Sequence, residues 1–423
     1  MCARPPLGYV AHRIVNHLRE LFGKASRVFL ALSLAQAAAG AAPRAGDNEK
    51  RDPCLDEVRG VWMWSSAVRQ ERAETVAEKL AQHHINRVFF LVKGYSGEVC
   101  YPSKLAPALE GGKDSLKEIL AACHKRGIEV HAWYVFNADN SWGKIHPEDA
   151  MYHVGESDAW DKGPYSKKDD PQKIPICPLS PGYRSYFKGL VQEVLDAYEV
   201  DGIHLDYIRY GHLCYCFCPR HQAFAAKNGI QVEKVREAIY NTFYAPKKQS
   251  DLYFNLYRAG DRGVKQWVGM REDEINLAVK EIRALVKAKK PSLALSASFM
   301  PEGGEKDDAF ALCHYGQNYA TAGSQLDYIL PMTYRKSPQW VAQIAINAEK
   351  RSHRPVYGGL WASEQAAASE MKEGQSDASP ATPRTPPALK LRADVQELRN
   401  QGIKGFVLFQ YGTMTDRLWQ ELP

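Results

Sequence analysis

The sequence of 423 residues carries little net charge outside its first 45 residues and shows no internal repeat. Its formal charge is +6, but residues 1–45 hold six basic residues and one acidic residue, so the remainder is close to neutral. A strongly basic face for nucleic acid is therefore not expected. The sequence also shows no second domain with a core of its own. The apolar run at residues 28–35 is too short for a mature membrane anchor, which needs about 20 residues.

The N-terminus has the three-part layout of a cleavable signal peptide. A basic region ends at Arg27, the apolar run of residues 28–35 follows, and small residues occupy positions 37–42. We therefore predict that residues 1–45 are an export segment. Residues 46–423 would then form the mature domain, secreted or periplasmic and without a stable membrane anchor. A buried N-terminal helix is the alternative.

Strand and helix patterns alternate through the rest of the chain. Short β-branched and aromatic runs predict eight strands, at residues 59–64, 87–92, 129–136, 200–210, 293–299, 327–334, 355–361 and 405–411. Amphipathic segments between them predict helices, among them 72–83, 114–126, 183–198 and 267–289. Eight such units predict an α/β fold, a (β/α)8 TIM barrel with enlarged loops after strands 3, 4 and 7.

The fourth predicted strand ends in a cluster of charged and aromatic residues. Asp206 follows a buried apolar run, and Tyr207, Arg209 and Tyr210 come directly after it. Parallel barrels keep their chemistry at the C-terminal ends of the strands, so a carboxylate at this position predicts a functional role. An aspartate that only caps the following turn is the alternative.

Five segments in order along the chain resemble the glycosyl hydrolase-like family 10. They are Arg59–Trp62, His124–Trp133, Asp201–Tyr210, Pro331–Tyr334 and Gly402–Phe409. The resemblance covers about residues 57 to 412, nearly the whole mature chain. It implies a barrel fold and a glycoside hydrolase that acts on a bacterial or extracellular polysaccharide, with peptidoglycan glycan strands as one candidate.

Glycoside hydrolysis ordinarily needs two carboxyl groups, one protonated and one ionised. The chitinase-type pattern is excluded, because Ile208 stands where that pattern has its acid. Arg209 should keep Asp206 ionised, as nucleophile or general base, and Glu302 after strand 5 is the predicted proton donor. Rival acids are Asp139, Asp307, Asp308, Glu364 and Glu98. The alternative function is a carbohydrate-binding barrel without catalysis.

Sugar sites need flat rings for stacking and polar groups for the hydroxyls. Residues of both kinds at or near strand ends form the predicted substrate-binding set: Trp64, Lys93, Trp133, Asn137, Tyr207, Arg209, Tyr210, Tyr334, Trp361, Gln410 and Tyr411. The expected partner is a polysaccharide or oligosaccharide substrate, and catalysis is expected to need no cofactor. His131 and His204 lie within strands and are expected to make hydrogen bonds in the core.

Cysteines cluster after the fourth strand. Cys214, Cys216, Cys218 and His221 offer four soft ligands within eight residues, a set that zinc accepts. An oxidising compartment favours disulfides, so disulfides are the preferred prediction and a structural zinc the second. Free thiols are the third option.

Overall fold

Eight parallel strands form one sheet in the computed structural model, which describes residues 57–154, 173–245, 247–363 and 387–423. All described residues belong to one compact unit, Asp56–Pro423. The strands are β1 (Val58–Trp64), β2 (Arg87–Lys93), β3 (Glu129–Val135), β4 (Gly202–Asp206), β5 (Ala294–Phe299), β6 (Tyr328–Pro331), β7 (Gly358–Trp361) and β8 (Gly405–Phe409).

The sheet closes on itself. Its hydrogen-bonded order is β6-β5-β4-β3-β2-β1-β8-β7, and two parallel bridges join the ends of that series, Ile329 with Val356 and Met332 with Gly359. Neighbours in sequence are thus neighbours around a barrel, which confirms the predicted (β/α)8 fold.

Alternating side chains divide the core into two layers. Val61 and Met63 point outward from β1 into the large apolar layer beneath the helices, whereas Trp62 points into the barrel. The interior cluster holds bulky side chains from five strands: Trp62, Phe89, Trp133, Tyr328, Leu330 and Val407. The barrel is therefore packed solid below its mouth, and a substrate can bind only at the rim.

Helices cover the outside of the barrel. They are α1 (Ser66–Gln70), α2 (Ala73–Gln82), α3 (Ser115–His124), α4 (Asn140–Ile145), α5 (Pro181–Ala197), α6 (Pro219–Lys227), α7 (Val232–Phe243), α8 (Leu252–Ala259), α9 (Arg262–Lys289), α10 (Ala309–Tyr315), α11 (Pro338–Ser352), α12 (Pro387–Asn400) and α13 (Asp416–Gln420). Capping residues and prolines determine where helices begin. For example, the Ser180 side chain caps α5 by accepting a hydrogen bond from the Tyr183 backbone amide, and Pro181 occupies the first turn. In the described residues, no helix combines the length and hydrophobicity needed to cross a bilayer.

The enlarged connection after β4 contains α6 to α9, as the sequence predicts for residues 212–290. Arg271 on α9 is fully buried, and its guanidinium donates to the carbonyl oxygens of His212 at 3.0 Å and His314 at 2.8 Å. This side chain thus ties the connection after β4 to that after β5. The predicted export segment and most of the loop after β7 lie outside the described residues.

Candidate active site

The inward register of the strands places Asp206 at the barrel mouth. His204 and Asp206 share the inward face of β4, and His204 lies in the interior beside Trp62. His204 also contacts the hydroxyls of Ser296 at 2.9 Å and Ser298 at 3.0 Å, and burial holds its pKa well below the usual value. His204 is therefore a neutral core residue, and Asp206, one layer above it, is the first inward group of β4 near the rim.

Both oxygens of the Asp206 carboxyl group accept hydrogen bonds. The indole nitrogen of Trp133 donates to Oδ2 at 3.2 Å, and the backbone amide of Tyr207 donates to Oδ1 at 2.7 Å. The residue is only 7% exposed. The carboxyl group is thus held in one orientation at the mouth, as a reacting group must be.

Burial dominates the protonation of Asp206. It raises the pKa of this carboxyl group above the ordinary aspartate value, although the charge of Arg209, the bonds from Tyr207 and Trp133 and the charge of Lys173 oppose the rise. Arg209 lowers the pKa of Asp206, as the sequence predicts, but its effect is smaller than that of burial. The physical reason is that desolvation of the carboxylate outweighs the attraction of the neighbouring cation.

Tyr207 has a left-handed backbone with φ of 51°, which is uncommon for a residue with a side chain. Three contacts fix this turn. The Asp206 carboxyl group accepts the backbone amide of Tyr207, and the backbone amide of Asn137 donates to the Tyr207 carbonyl oxygen at 3.2 Å. The guanidinium of Arg209 stacks over the Tyr207 ring at 4.2 Å. Strained backbone held in this way often marks a functional site. The turn changes the direction of the backbone directly after Asp206.

Asn137 and Arg209 make further contacts that stabilise this turn. The side-chain amide of Asn137 donates to the Arg209 carbonyl oxygen at 2.8 Å, and Asn137 is 3% exposed. Arg209 is 9% exposed, with its guanidinium near the rings of Tyr207 and Tyr315. Both residues were predicted to bind substrate, but the structure places them mainly as supports of the Asp206 turn.

Aromatic rings line the mouth on the side facing Asp206. Tyr334 packs edge-on against Trp361 at 5.2 Å and lies 5.9 Å from the Phe409 ring. Burial raises the pKa of the Tyr334 hydroxyl, and the nearby charge of Asp206 adds to the rise. Trp361 is 37% exposed and Trp64 is 45% exposed. These surfaces can stack on sugar rings.

A groove of about 170 Å³ adjoins the mouth at the ends of β1 and β2. Trp64, Arg69, Leu91 and Glu98 contribute to its walls. Glu98, one of the rival acids, therefore lies beside an exposed tryptophan.

Three predicted substrate-binding residues are placed elsewhere. Lys93 is fully buried, and its ammonium group contacts Asp139 at 3.0 Å as well as two carbonyl oxygens and the Tyr183 hydroxyl. Tyr210 is fully buried and bonds to Glu274 and His221. Tyr411 is 5% exposed, and its hydroxyl bonds to Glu71 at 3.2 Å. These predictions are corrected, because all three polar ends are used within the protein.

Gln410 is half-buried at the end of β8, where its side chain accepts the Gly412 amide at 2.8 Å. It thereby caps a short turn. Gln410 remains beside the mouth, but its amide oxygen has a structural partner.

Glu302 lies in a separate contact network from Asp206. It follows β5 in a short 3-10 helix, and its Oε1 forms an ion pair with Arg335 at 3.1 Å. Its Oε2 is buried without a hydrogen bond in the described part of the chain. Among the rivals, Asp139 is fully buried against Lys93, whereas Asp307 pairs with Arg258 at 2.5 Å. Glu364 lies outside the described residues.

Sequence reasoning missed Tyr95 and Lys173. The Lys173 ammonium lies 4.3 Å from the Tyr95 ring centre and 5.5 Å from that of Tyr207. Tyr95 comes two residues after β2, so the same strand-end rule that selected Trp64 could have selected it. Lys173 lies in a long irregular connection, where no periodicity marks it.

The cysteine cluster differs from the predicted set in one member. Cys177, Cys216, Cys218 and His221 bring their ligand atoms within 4.8 Å of one another. Cys214 points away, with its sulfur 3.5 Å from the Tyr244 hydroxyl. All seven described cysteines are free, so the expected disulfides are not found among them.

A family model described as glycosyl hydrolase-like 10 matches residues 57–361. The chain belongs to the glycosyl hydrolase-like 10 family. The matched range contains Asp206, Glu302, Tyr334 and Trp361, so the mouth described above lies within the family's own region. Family membership supports a glycoside hydrolase.

Relatives of this glycosyl hydrolase-like 10 protein agree with that assignment. Glycosyl hydrolase DigH of Escherichia coli (strain K12) is 25% identical over 200 residues, which cover 40% of this chain and 44% of DigH. The chain therefore matches less than half the length of this relative.

Solved structures confirm the barrel. The glycoside hydrolase domain of PgaB (BpsB) from Bordetella bronchiseptica superposes with a TM-score of 0.60 at 13% identity, covering 84% of this chain and 94% of that one. The β-galactosidase from Marinomonas ef1 gives 0.56 at 14% identity, covering 86% and 58%. At such identities the likeness concerns the fold.

Proposed function

We propose that this protein is an exported glycoside hydrolase that cleaves a bacterial or extracellular polysaccharide, with Asp206 as its central catalytic group. The observation that carries the proposal is a buried, doubly hydrogen-bonded carboxyl group at the barrel mouth, facing aromatic rings. The glycosyl hydrolase-like 10 match supports the reaction class. No cofactor is needed for this chemistry, since two carboxyl groups suffice.

Burial shifts the pKa of Asp206 upward, which is the direction that the role of proton donor requires. A general acid must hold its proton at working pH, so the leaving-group test below distinguishes this role from that of nucleophile. We propose Glu302 as the second carboxylate, acting as base or nucleophile. Support for Glu302 comes from its place after β5, the strand beside β4, and from its buried oxygen without a hydrogen bond in the described residues.

A polymer rather than a small sugar fits the shape of the mouth. The exposed faces of Trp361 and Trp64 lie on strands separated only by β8, and Trp64 also forms part of the wall of a groove. Stacking of successive sugar rings on such faces would hold a chain across Asp206. Peptidoglycan glycan strands are the first candidate to test.

The direct test is reducing-end release from a panel of polysaccharides that includes peptidoglycan glycan strands. We expect Asp206→Asn to lose a factor of about 10² to 10⁴ on natural substrates, the usual contribution of general acid catalysis. The matched control is Asp307→Asn, which makes the same change in an exposed ion pair and should keep full activity.

Aryl glycosides with good leaving groups separate the two roles of Asp206. A proton donor matters little when the leaving group departs without protonation, so Asp206→Asn should retain most activity in that first step. An equal loss on both substrate types would assign Asp206 as nucleophile. Full activity of Asp206→Asn on the polysaccharide would reject the site. A wild-type protein that binds glycans and releases no ends would instead be a carbohydrate-binding barrel.

A further inference from the structure

Three thiols and one imidazole converge in the interior beside the barrel mouth. The sulfur atoms of Cys177 and Cys218 are 3.6 Å apart, and the Nδ1 atom of His221 lies 3.5 Å from the first and 3.3 Å from the second. Cys216 completes the group, and all four residues are buried. The sulfur–sulfur distance is far too long for a disulfide bond of about 2.05 Å.

The spacing matches a tetrahedral zinc site. Zinc binds sulfur at about 2.3 Å and histidine nitrogen at about 2.0–2.1 Å, so neighbouring ligands in a tetrahedron lie about 3.5–3.8 Å apart. The distances above are close to that range without any ion present. Three cysteines and one histidine form a closed ligand set of the kind found in structural sites, which leaves no position for a substrate.

The surroundings of the cluster also suit a metal. The second ring nitrogen of His221 lies 3.1 Å from the carboxylate of Glu274 and 2.8 Å from the Tyr210 hydroxyl, so its first nitrogen is free to face the thiols. A carboxylate behind a histidine is the usual support for a zinc ligand. The amide of Tyr152 donates to the sulfur of Cys216 at 3.3 Å, which stabilises a thiolate.

The position of Cys218 also favours a thiolate. This residue occupies the N-cap position of α6 without a side-chain capping hydrogen bond, and the helix dipole there favours a negative charge. We propose that Cys177, Cys216, Cys218 and His221 bind one structural zinc ion.

The ion would join two connections of the barrel. Cys177 belongs to the long connection after β3, whereas Cys216, Cys218 and His221, on α6, belong to the connection after β4. The β4 loop also carries Arg209 and Tyr210, and the β3 connection carries Lys173. The zinc would therefore fix the two connections that surround Asp206, while taking no part in the chemistry.

Elemental analysis of the full chain, purified without chelator, tests the site. We expect one zinc per chain in the wild type and in Cys214→Ser, and almost none in Cys177→Ser. Cys214 is the matched control, because it is equally buried and lies in the same loop but outside the cluster. Loss of zinc in Cys214→Ser with retention in Cys177→Ser would overturn the assignment.

X-ray absorption at the zinc edge of the wild-type protein keeps the test independent of variant folding. The expected first shell has three sulfur atoms at about 2.3 Å and one nitrogen. A wild-type protein without stoichiometric zinc, or with a shell of nitrogen and oxygen alone, would refute the proposal. Neither outcome depends on glycoside hydrolysis, so this inference stands or falls separately from the proposed function.

Discussion

Burial is the main influence on the protonation of Asp206, and this has consequences for both activity and stability. The carboxyl group holds its proton to a higher pH in the folded protein than in the unfolded chain, because desolvation disfavours the charged form. Between the unfolded and the folded pKa, the folded state therefore binds more protons. Stability must fall as pH rises through this window.

We predict that Asp206→Asn raises the melting temperature at neutral pH. The amide has nearly the same shape and never ionises, so the cost of a buried charge disappears. The gain should be small near pH of about 4, where the unfolded aspartate titrates, and should grow until the folded pKa is passed. Thermal unfolding of both proteins across pH measures the difference. A gain that is constant with pH would contradict the raised pKa.

Lys93 provides a second prediction at this scale. Its ammonium group is buried against Asp139, and burial lowers its pKa while Asp139 opposes the shift. We expect Lys93→Met to cost about 3–5 kcal/mol of unfolding free energy, because it leaves an uncompensated buried carboxylate. The double variant Lys93→Met/Asp139→Asn should recover part of the loss. Urea titrations provide the measurement, and a neutral Lys93→Met would show that the pair is not coupled.

The sequence identified the centre of the site but not the roles of its neighbours. Asp206 and Trp361 could be predicted because strand ends face the mouth of a barrel. Lys93 and Tyr210 also stand at strand ends, but their side chains turn into the protein, and only tertiary contacts decide this. Cys177 could not be predicted as a cluster member, since 39 residues separate it from Cys216 and its loop has no regular pattern.

The start of β4 has no room for a side chain. A side chain at Gly202 would place its Cβ 1.9 Å from Nδ1 of His131 on the neighbouring strand. The His131 ring cannot move freely, because Tyr328 contacts the same nitrogen at 3.0 Å. Gly202 therefore allows β3 and β4 to pair while both histidines occupy the barrel interior.

We predict that Gly202→Ala destabilises the protein by about 1–3 kcal/mol, as overpacking of a dense core usually does. Gly211→Ala is the matched control. It lies in the loop after the same strand, where an added Cβ would contact nothing within 4 Å, so the change should stay within about 0.5 kcal/mol. Denaturant unfolding of the two variants compares them. Equal stability would mean that the His131 ring can be displaced without cost.

The number and order of the strands were predictable, but several ends were not. The fourth strand was predicted to run to residue 210 and ends at Asp206, because Tyr207 adopts the left-handed conformation. The sixth ends at Pro331, three residues before the predicted end. Hydrophobic periodicity predicts the buried part of a strand, whereas the end of the strand depends on the turn that follows.

The enlarged loop after β4 was predicted from its length alone.

At the scale of the whole molecule, the barrel gathers distant residues at one rim. Asp206 on β4 and Trp361 on β7 are far apart in sequence, yet Tyr334 after β6 packs against Trp361 and is near enough to Asp206 for its pKa to be influenced by that residue. Closure of the sheet through the bridges between β6 and β7 makes this possible. The site is thus a property of the closed barrel, and a segment of the chain could not form it alone.

Export of the protein stays a prediction that rests on the sequence of residues outside the described part. A basic region, an apolar run and small residues follow one another within residues 1–45, as in cleavable signal peptides. Sequencing of the native protein should therefore find an N-terminus between Gly40 and Asp47. Because residues 1–45 carry five of the six net positive charges, cleavage should also lower the isoelectric point toward neutrality. A native protein that begins at Met1 in the cytoplasm would refute export, and a polysaccharide outside the cell would then be out of its reach.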